Sequence, residues 1–172
     1  MKLKVFGWLI VGCLLYVCPN AMGQVISSNI VGSLTTDPAV AGITEAGAPW
    51  TVTSGSITIS DTGAVKAKIK GLVITDPAGA GVGPVTEIAA SLVCGGAIVA
   101  TTASAPISST GDAKIKGTIT LPARCVDPIV LIQVAAATGF GTIPTGGGPF
   151  IASSGFTTAS TEAVHNIFTP EK

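Results

Sequence analysis

From Gln24 onward, apolar and polar residues alternate along much of the chain with a period of two, the pattern of strands that are dry on one face and wet on the other. In SITIS, residues 56–60, Ile57 and Ile59 fall on one side and Ser56, Thr58 and Ser60 on the other. Asp61-Thr62-Gly63 then reads as a turn, because Asp and Gly tolerate the backbone that a reversal needs. The following VKAKIKG sends Val65, Ala67 and Ile69 inward and Lys66, Lys68 and Lys70 outward. One buried face and one solvated face are the habit of antiparallel sheets.

The phrase AKIKG occurs twice, at 67–71 and at 113–117, each time shortly after a Thr-Gly turn. In the second copy Ile115, Ile119 and Leu121 point inward, while Lys114, Lys116, Thr118 and Thr120 point out. Two copies are too few for a solenoid, and they read as two strands of one sandwich meeting similar demands. Between them, VTEIAASLVC places Ile88, Ala90, Leu92 and Cys94 on one face. Gly95-Gly96 supplies the positive φ values of a two-residue hairpin. That turn predicts Cys94 opposite Ala97, Val93 opposite Ile98 and Leu92 opposite Val99. IVLIQVA, residues 129–135, is apolar on both parities, as a central strand covered on both faces would be. Trp50 and Val52 begin another strand, with a bulge expected at Ser54-Gly55. The pattern predicts an all-β fold, a single antiparallel β-sandwich of immunoglobulin-like architecture over residues 24–156.

The first 23 residues follow a different rule. Lys2 and Lys4 precede an apolar run at 5–17 that is too short for a spanning helix. Pro19 and Asn20 break it, and Ala21 and Gly23 provide the small residues that a signal peptidase requires. Residues 1–23 are therefore expected to be a secretory signal, cleaved before Gln24. A lipoprotein signal acylated at Cys13 competes with this reading, and the apolar Leu14-Leu15-Tyr16-Val17 after that cysteine opposes it. The mature chain is expected to be secreted, periplasmic or at the cell surface, with no transmembrane segment. At the other end, residues 157–172 read as a flexible polar tail.

Composition narrows the picture. Of 172 residues, 47% are hydrophobic and only 10% charged, which suits a chain with a core and excludes a disordered one. Nine basic residues balance nine acidic ones, and loss of Lys2 and Lys4 tips the balance slightly negative. Overall charge thus gives no footprint for nucleic acid or an anionic membrane. The lysine stripes accordingly read as a solvated, edge-protecting face. They become a basic patch if the two AKIKG strands are neighbours in one sheet, a juxtaposition that like-charge repulsion opposes.

Candidate chemistry is sparse. Cleavage removes Cys13 and Cys18 and leaves Cys94 and Cys125, which an oxidising compartment is expected to join as a disulfide. Cys94 shares the inward face of its strand, a poor place for a nucleophile. The single histidine, His165, lies in the tail, so no Ser-His-Asp or Cys-His site, metal centre or cofactor is expected. Asp61, Asp76, Asp112 and Asp127 stand beside Gly, Pro or Thr at apparent turns, where Asp bonds its own backbone two residues on. Together with Glu87, they are also the material for a carboxylate pair assembled by folding. AGAGVGP at 78–84 lacks the Lys-Ser/Thr ending of a phosphate loop. GFGTIPTGGGPF at 139–150 reads as a long flexible connection, in which Phe140 and Phe150 either anchor a binding loop or tuck onto the core.

Taken together, GAPWTV, ASLVCGGAIVATT and GDAKIKGTITLPARC resemble a group of secreted bacterial domains that share a Cys-containing strand, an ATT strand and an LP-x-x-C segment. The resemblance covers residues 42–135, implies a small exported β-domain, and transfers no catalytic residue. The repeated hairpins also resemble the CHRD type of extracellular β-domain, whose histidines this chain lacks. The expectation is a non-catalytic exported β-sandwich with a structural or interaction role, its partner an extracellular protein or glycan. A secreted hydrolase with a carboxylate pair, and a β-augmentation module that lends residues 157–172 as a strand, are the alternatives.

Overall fold

The computed structural model describes residues 24–75, 81–139, 141–144 and 146–154. Among them every regular element is a strand: β1 (Gln24–Gly32), β2 (Trp50–Thr51), β3 (Ser54–Ser60), β4 (Ala64–Lys70), β5 (Val73–Ile74), β6 (Val85–Cys94), β7 (Ala97–Thr101), β8 (Ala105–Pro106), β9 (Ala113–Thr118), β10 (Ile129–Ala137), β11 (Gly141–Thr142) and β12 (Phe150–Ser154). The main sheet runs β7-β6-β10-β12-β1-β3-β4-β9, with β8 on β6 and β11 on β10, while β2 and β5 form a separate pair. All these pairings are antiparallel.

In place of two separate sheets, the strands make one curled ten-stranded sheet. The reason lies in β1, which changes partner along its length. Residues 24–29 of β1 pair with β3 and residues 30–32 with β12, so one strand serves both halves and the sheet bends where it passes between them. The far ends also approach each other. β8 pairs with β6 at Glu87 and Ile88, and Ile107 just beyond β8 bridges Ala113 of β9.

The period-two alternation accounts for the inner surface. Ile57, Ile59, Val65, Ile69 and Ile115 from one half share a buried cluster with Ile88, Leu92, Val130 and Ile132 from the other. At about 1.5–3 kcal/mol for each such side chain fully removed from water, this cluster is the main source of stability. The outer face of β10 is covered as well, by the chain between β1 and β2. Val40, Val93, Leu131 and Phe150 form a second cluster there. Bridges between Val40 and Ile43 and between Glu45 and Phe150 hold the covering segment down. Two covered faces explain why IVLIQVA shows no alternation.

Three local expectations change. Gly95 and Gly96 do adopt φ of 57° and 80°, with Cys94 opposite Ala97 and Val93 opposite Ile98. Leu92, however, faces Ala100, because a bulge leaves Val99 unpaired and turned to solvent. The bulge expected at Ser54-Gly55 is absent: β3 pairs with β4 in unbroken register from Ser54–Lys70 to Ile59–Val65. The parity change falls instead at Thr53-Ser54, both exposed, between the β2–β5 pair and β3. The Gly-rich stretch after β10 is no loose connection either. β11 folds back on β10, and the Gln133 side-chain amide donates to the carbonyls of Gly148 (2.7 Å) and Gly146 (3.3 Å).

Candidate functional site

The two AKIKG strands are neighbours. β4 and β9 pair so that Lys66 faces Lys116 and Lys68 faces Lys114, with Ala67 opposite Ile115 and Ile69 opposite Ala113 on the dry side. A sequence paired antiparallel with its own copy creates a local two-fold relation, and the turns before the two strands repeat it. In the first, the Gly63 N–H donates to the Ser60 carbonyl (3.0 Å) and the Ala64 N–H to Ser60 Oγ (3.0 Å). In the second, the Gly111 N–H donates to the Ser108 carbonyl (2.9 Å) and the Asp112 N–H to Ser108 Oγ (3.0 Å). Both turns carry a Ser–Thr hydroxyl contact, 2.7 Å at Ser60–Thr62 and 2.8 Å at Ser108–Thr110. The signal for this lies in the sequence as Ser-x-Thr-Gly at 60–63 and 108–111.

Each turn then docks on the other copy. The Ile119 N–H donates to the Gly63 carbonyl and the Leu72 N–H to the Gly111 carbonyl, both at 2.9 Å. A Cβ on Gly63 would stand 2.0 Å from the Ile119 oxygen, and one on Gly111 2.3 Å from the Leu72 oxygen. With φ of 78° and 77°, both positions require glycine on two counts.

The outer surface of this half is polar from strand to strand. Successive cross-strand rows read Ser27–Thr58–Lys66–Lys116 and Asn29–Ser56–Lys68–Lys114, with Ser54–Lys70 below them. Five of the nine basic residues of the chain therefore project from two adjacent strands. Among the described residues the one ion pair is Lys70–Asp112, at 2.5 Å. Lys66, Lys68, Lys114 and Lys116 make no ion pair with a described residue. An open depression of about 270 Å³ sits at the end of this face, lined by Lys68, Lys70, Lys114, Asp112 and Pro106.

Asp112 departs from the turn-forming role expected of it. Its carboxylate reaches across to β4, accepting from Lys70 Nζ and from the Gly71 N–H at 3.1 Å. The Lys70 ammonium, seconded by the Gly71 N–H, holds the Asp112 carboxyl below its ordinary range. Other acids serve their own surroundings. Asp37 accepts from the Leu34 N–H (2.8 Å), Glu45 from the Gly47 N–H, and Glu87 from the Ser104 hydroxyl (2.6 Å). Among the described residues the depression contains a single carboxylate, Asp112.

The remaining candidates fall elsewhere. Cys94 at the end of β6 and Cys125 in the connection from β9 to β10 stand at disulfide distance, their Cα atoms 4.9 Å apart. Phe150 is 0% exposed in β12 and belongs to the second cluster, so it packs the core and does not anchor a binding loop. Trp50 is buried as well, at 3%. Phe140, Asp76, His165, the signal segment and the tail lie outside the described residues. No protein-family model, curated protein or solved structure matches the chain.

Proposed function

We propose that the protein is an exported, non-catalytic interaction module whose contact surface is the lysine face of β4 and β9. One observation carries this reading: five of nine basic residues gather on two adjacent strands with one carboxylate paired among them. Lysine directly across from lysine is unfavourable in a sheet. A wet face needs no such pairing, since Lys opposite Thr or Glu would be equally soluble and free of repulsion. A surface that concentrates like charge despite that cost is built to meet the opposite charge.

Export supports the same reading from the other end of the chain. The n-region, apolar run and small-residue cleavage pattern precede Gln24. In this reading the two halves of the curled sheet face one another as the layers of a sandwich, joined at one corner by β1.

Retention on a sulfonate cation-exchange resin at neutral pH and low salt tests the surface. The mature chain, slightly negative overall, is expected to bind and to elute with salt, whereas a variant with Lys66, Lys68, Lys114 and Lys116 changed to Ser is expected to flow through. A wild-type chain that flows through overturns the proposal. Mass spectrometry of the exported protein is expected to find Gln24 at the N-terminus, and an acylated Cys13 would replace free export with a lipid anchor.

A further inference from the structure

We infer that the ligand of the lysine face is a linear anionic polysaccharide. This inference rests on the binding role proposed for that face and names its ligand class. Every cation on the face is a lysine; the one described arginine, Arg124, lies in the connection between β9 and β10. An arginine fork recognises the geometry of a single carboxylate or phosphate, whereas a lysine ammonium is a point charge on a flexible stem. A surface made of lysines alone reads charge density. Its natural complement is a polymer that repeats a negative charge.

The spacing suits such a chain. Alternate residues along a strand are about 6.8 Å apart and neighbouring strands about 4.8 Å apart. Lys66, Lys68, Lys114 and Lys116 therefore form a two-by-two grid, along which an extended polyanion can lie with successive charges between paired ammonium groups. One strand away, β3 turns Ser54, Ser56 and Thr58 to the same side. Their hydroxyls both donate and accept, as sugar hydroxyls do.

Two other classes of polyanion fit less well. Single-stranded nucleic acid is held by stacking its bases on aromatic side chains, yet the two described aromatic residues, Trp50 and Phe150, are buried in the core. An anionic membrane rewards apolar side chains that enter it beside the cations. Among the described residues the exposed large apolar ones are Leu34, Val99 and Val126, none of them on β3, β4 or β9.

The test is calorimetric titration of the disulfide-intact mature chain with sodium alginate, neutral dextran, single-stranded DNA of matched charge and phosphatidylglycerol vesicles. Alginate is expected to bind, more weakly as salt rises, and more tightly than DNA or vesicles, with no signal from dextran. The double variant Lys68→Glu, Lys114→Glu is expected to lose at least about tenfold in alginate affinity, as removal of counter-ion-releasing contacts does. Arg124→Ser is expected to leave it unchanged. Should the double Glu variant fail to fold by circular dichroism, Lys68→Ser with Lys114→Ser carries the comparison. DNA or vesicles binding as tightly as alginate overturns the polysaccharide and leaves the anion-binding face standing. No binding to any polyanion, or alginate binding untouched by either double variant, overturns both.

Discussion

Lys68 and Lys114 stand directly across from each other on the outer face of β4 and β9, the first lysines of two copies of one five-residue phrase. Pairing a strand with its own copy aligns like with like, so the hydrophobic side of the repeat zips together while its charged side repels. Ala67, Ile69, Ala113 and Ile115 are all buried beneath these lysines. Burial of that inner face outweighs repulsion in the solvated outer one, where the charges are spread in water.

That balance can be shifted by one residue. Lys114→Glu turns a like-charge pair into an opposite-charge pair and is expected to raise stability by roughly 0.2–1 kcal/mol in urea denaturation at low salt. The same substitution is expected to weaken retention on the sulfonate resin. A variant that is stabilised yet binds less well separates the needs of the fold from those of the face. Destabilisation by Lys114→Glu would mean that repulsion between Lys68 and Lys114 is not felt.

Asp112 links stability to acid. Its folded pKa lies below the ordinary value of 3.8, so its contribution is complete above that value and is lost as pH falls through the lower folded one. Asp112→Asn removes this share and is expected to flatten the acid limb of the stability curve below about pH 4. The effect is small, because the pair is open to water. Urea denaturation of both proteins between pH 2 and about 6 measures it, and parallel curves would count against the link.

Cys94 and Cys125 are separated by 31 positions. On the chain-entropy account, closing a loop of that size stabilises the fold by about 3–4 kcal/mol. Changing both cysteines to Ser is expected to lower unfolding free energy by that amount, with the β-sheet circular dichroism kept below the transition. Thiol labelling of an unreduced, denatured chain that starts at Gln24 is expected to find no free thiol. Two reactive thiols per chain would remove the bridge.

Gln133 is a polar side chain in an apolar strand, and both ends of its amide are hydrogen-bonded. It accepts from the Ser91 hydroxyl and donates to Gly146 and Gly148, so it tethers the return to β12. Gln133→Leu leaves those buried partners without Gln133 and is expected to cost about 1–3 kcal/mol. Amide hydrogen exchange around Gly146 to Gly148 is expected to quicken more than in β6 or β10. Uniform exchange through the sheet would assign Gln133 a packing role only.

Much of this protein is determined locally. SITIS and VKAKIKG state which residues are wet and which are dry, because a strand turns successive side chains to opposite faces. Gly95-Gly96 sets its own hairpin, since positive φ at both positions is a property of the two residues themselves. Cys94 and Cys125 follow from counting the cysteines outside the expected signal segment, residues 1–23. What stayed illegible was non-local. Alternation assigns a residue to a face and says nothing about which strand lies alongside, so Lys68 alone does not point to Lys114. That partnership depends on the Gly63 and Gly111 carbonyls meeting Ile119 and Leu72, contacts that a single side chain on either glycine would block. The curl depends on β1, whose hydrogen bonds pass from β3 to β12 near Ile30 with no mark in its composition. Phe150 is equally open, because Val40, Val93 and Leu131, which bury it, come from three separate parts of the chain. Hydrogen-bond partners between strands are chosen by the packing of the whole core, and so the lysine face came into being only when the sheet closed around it.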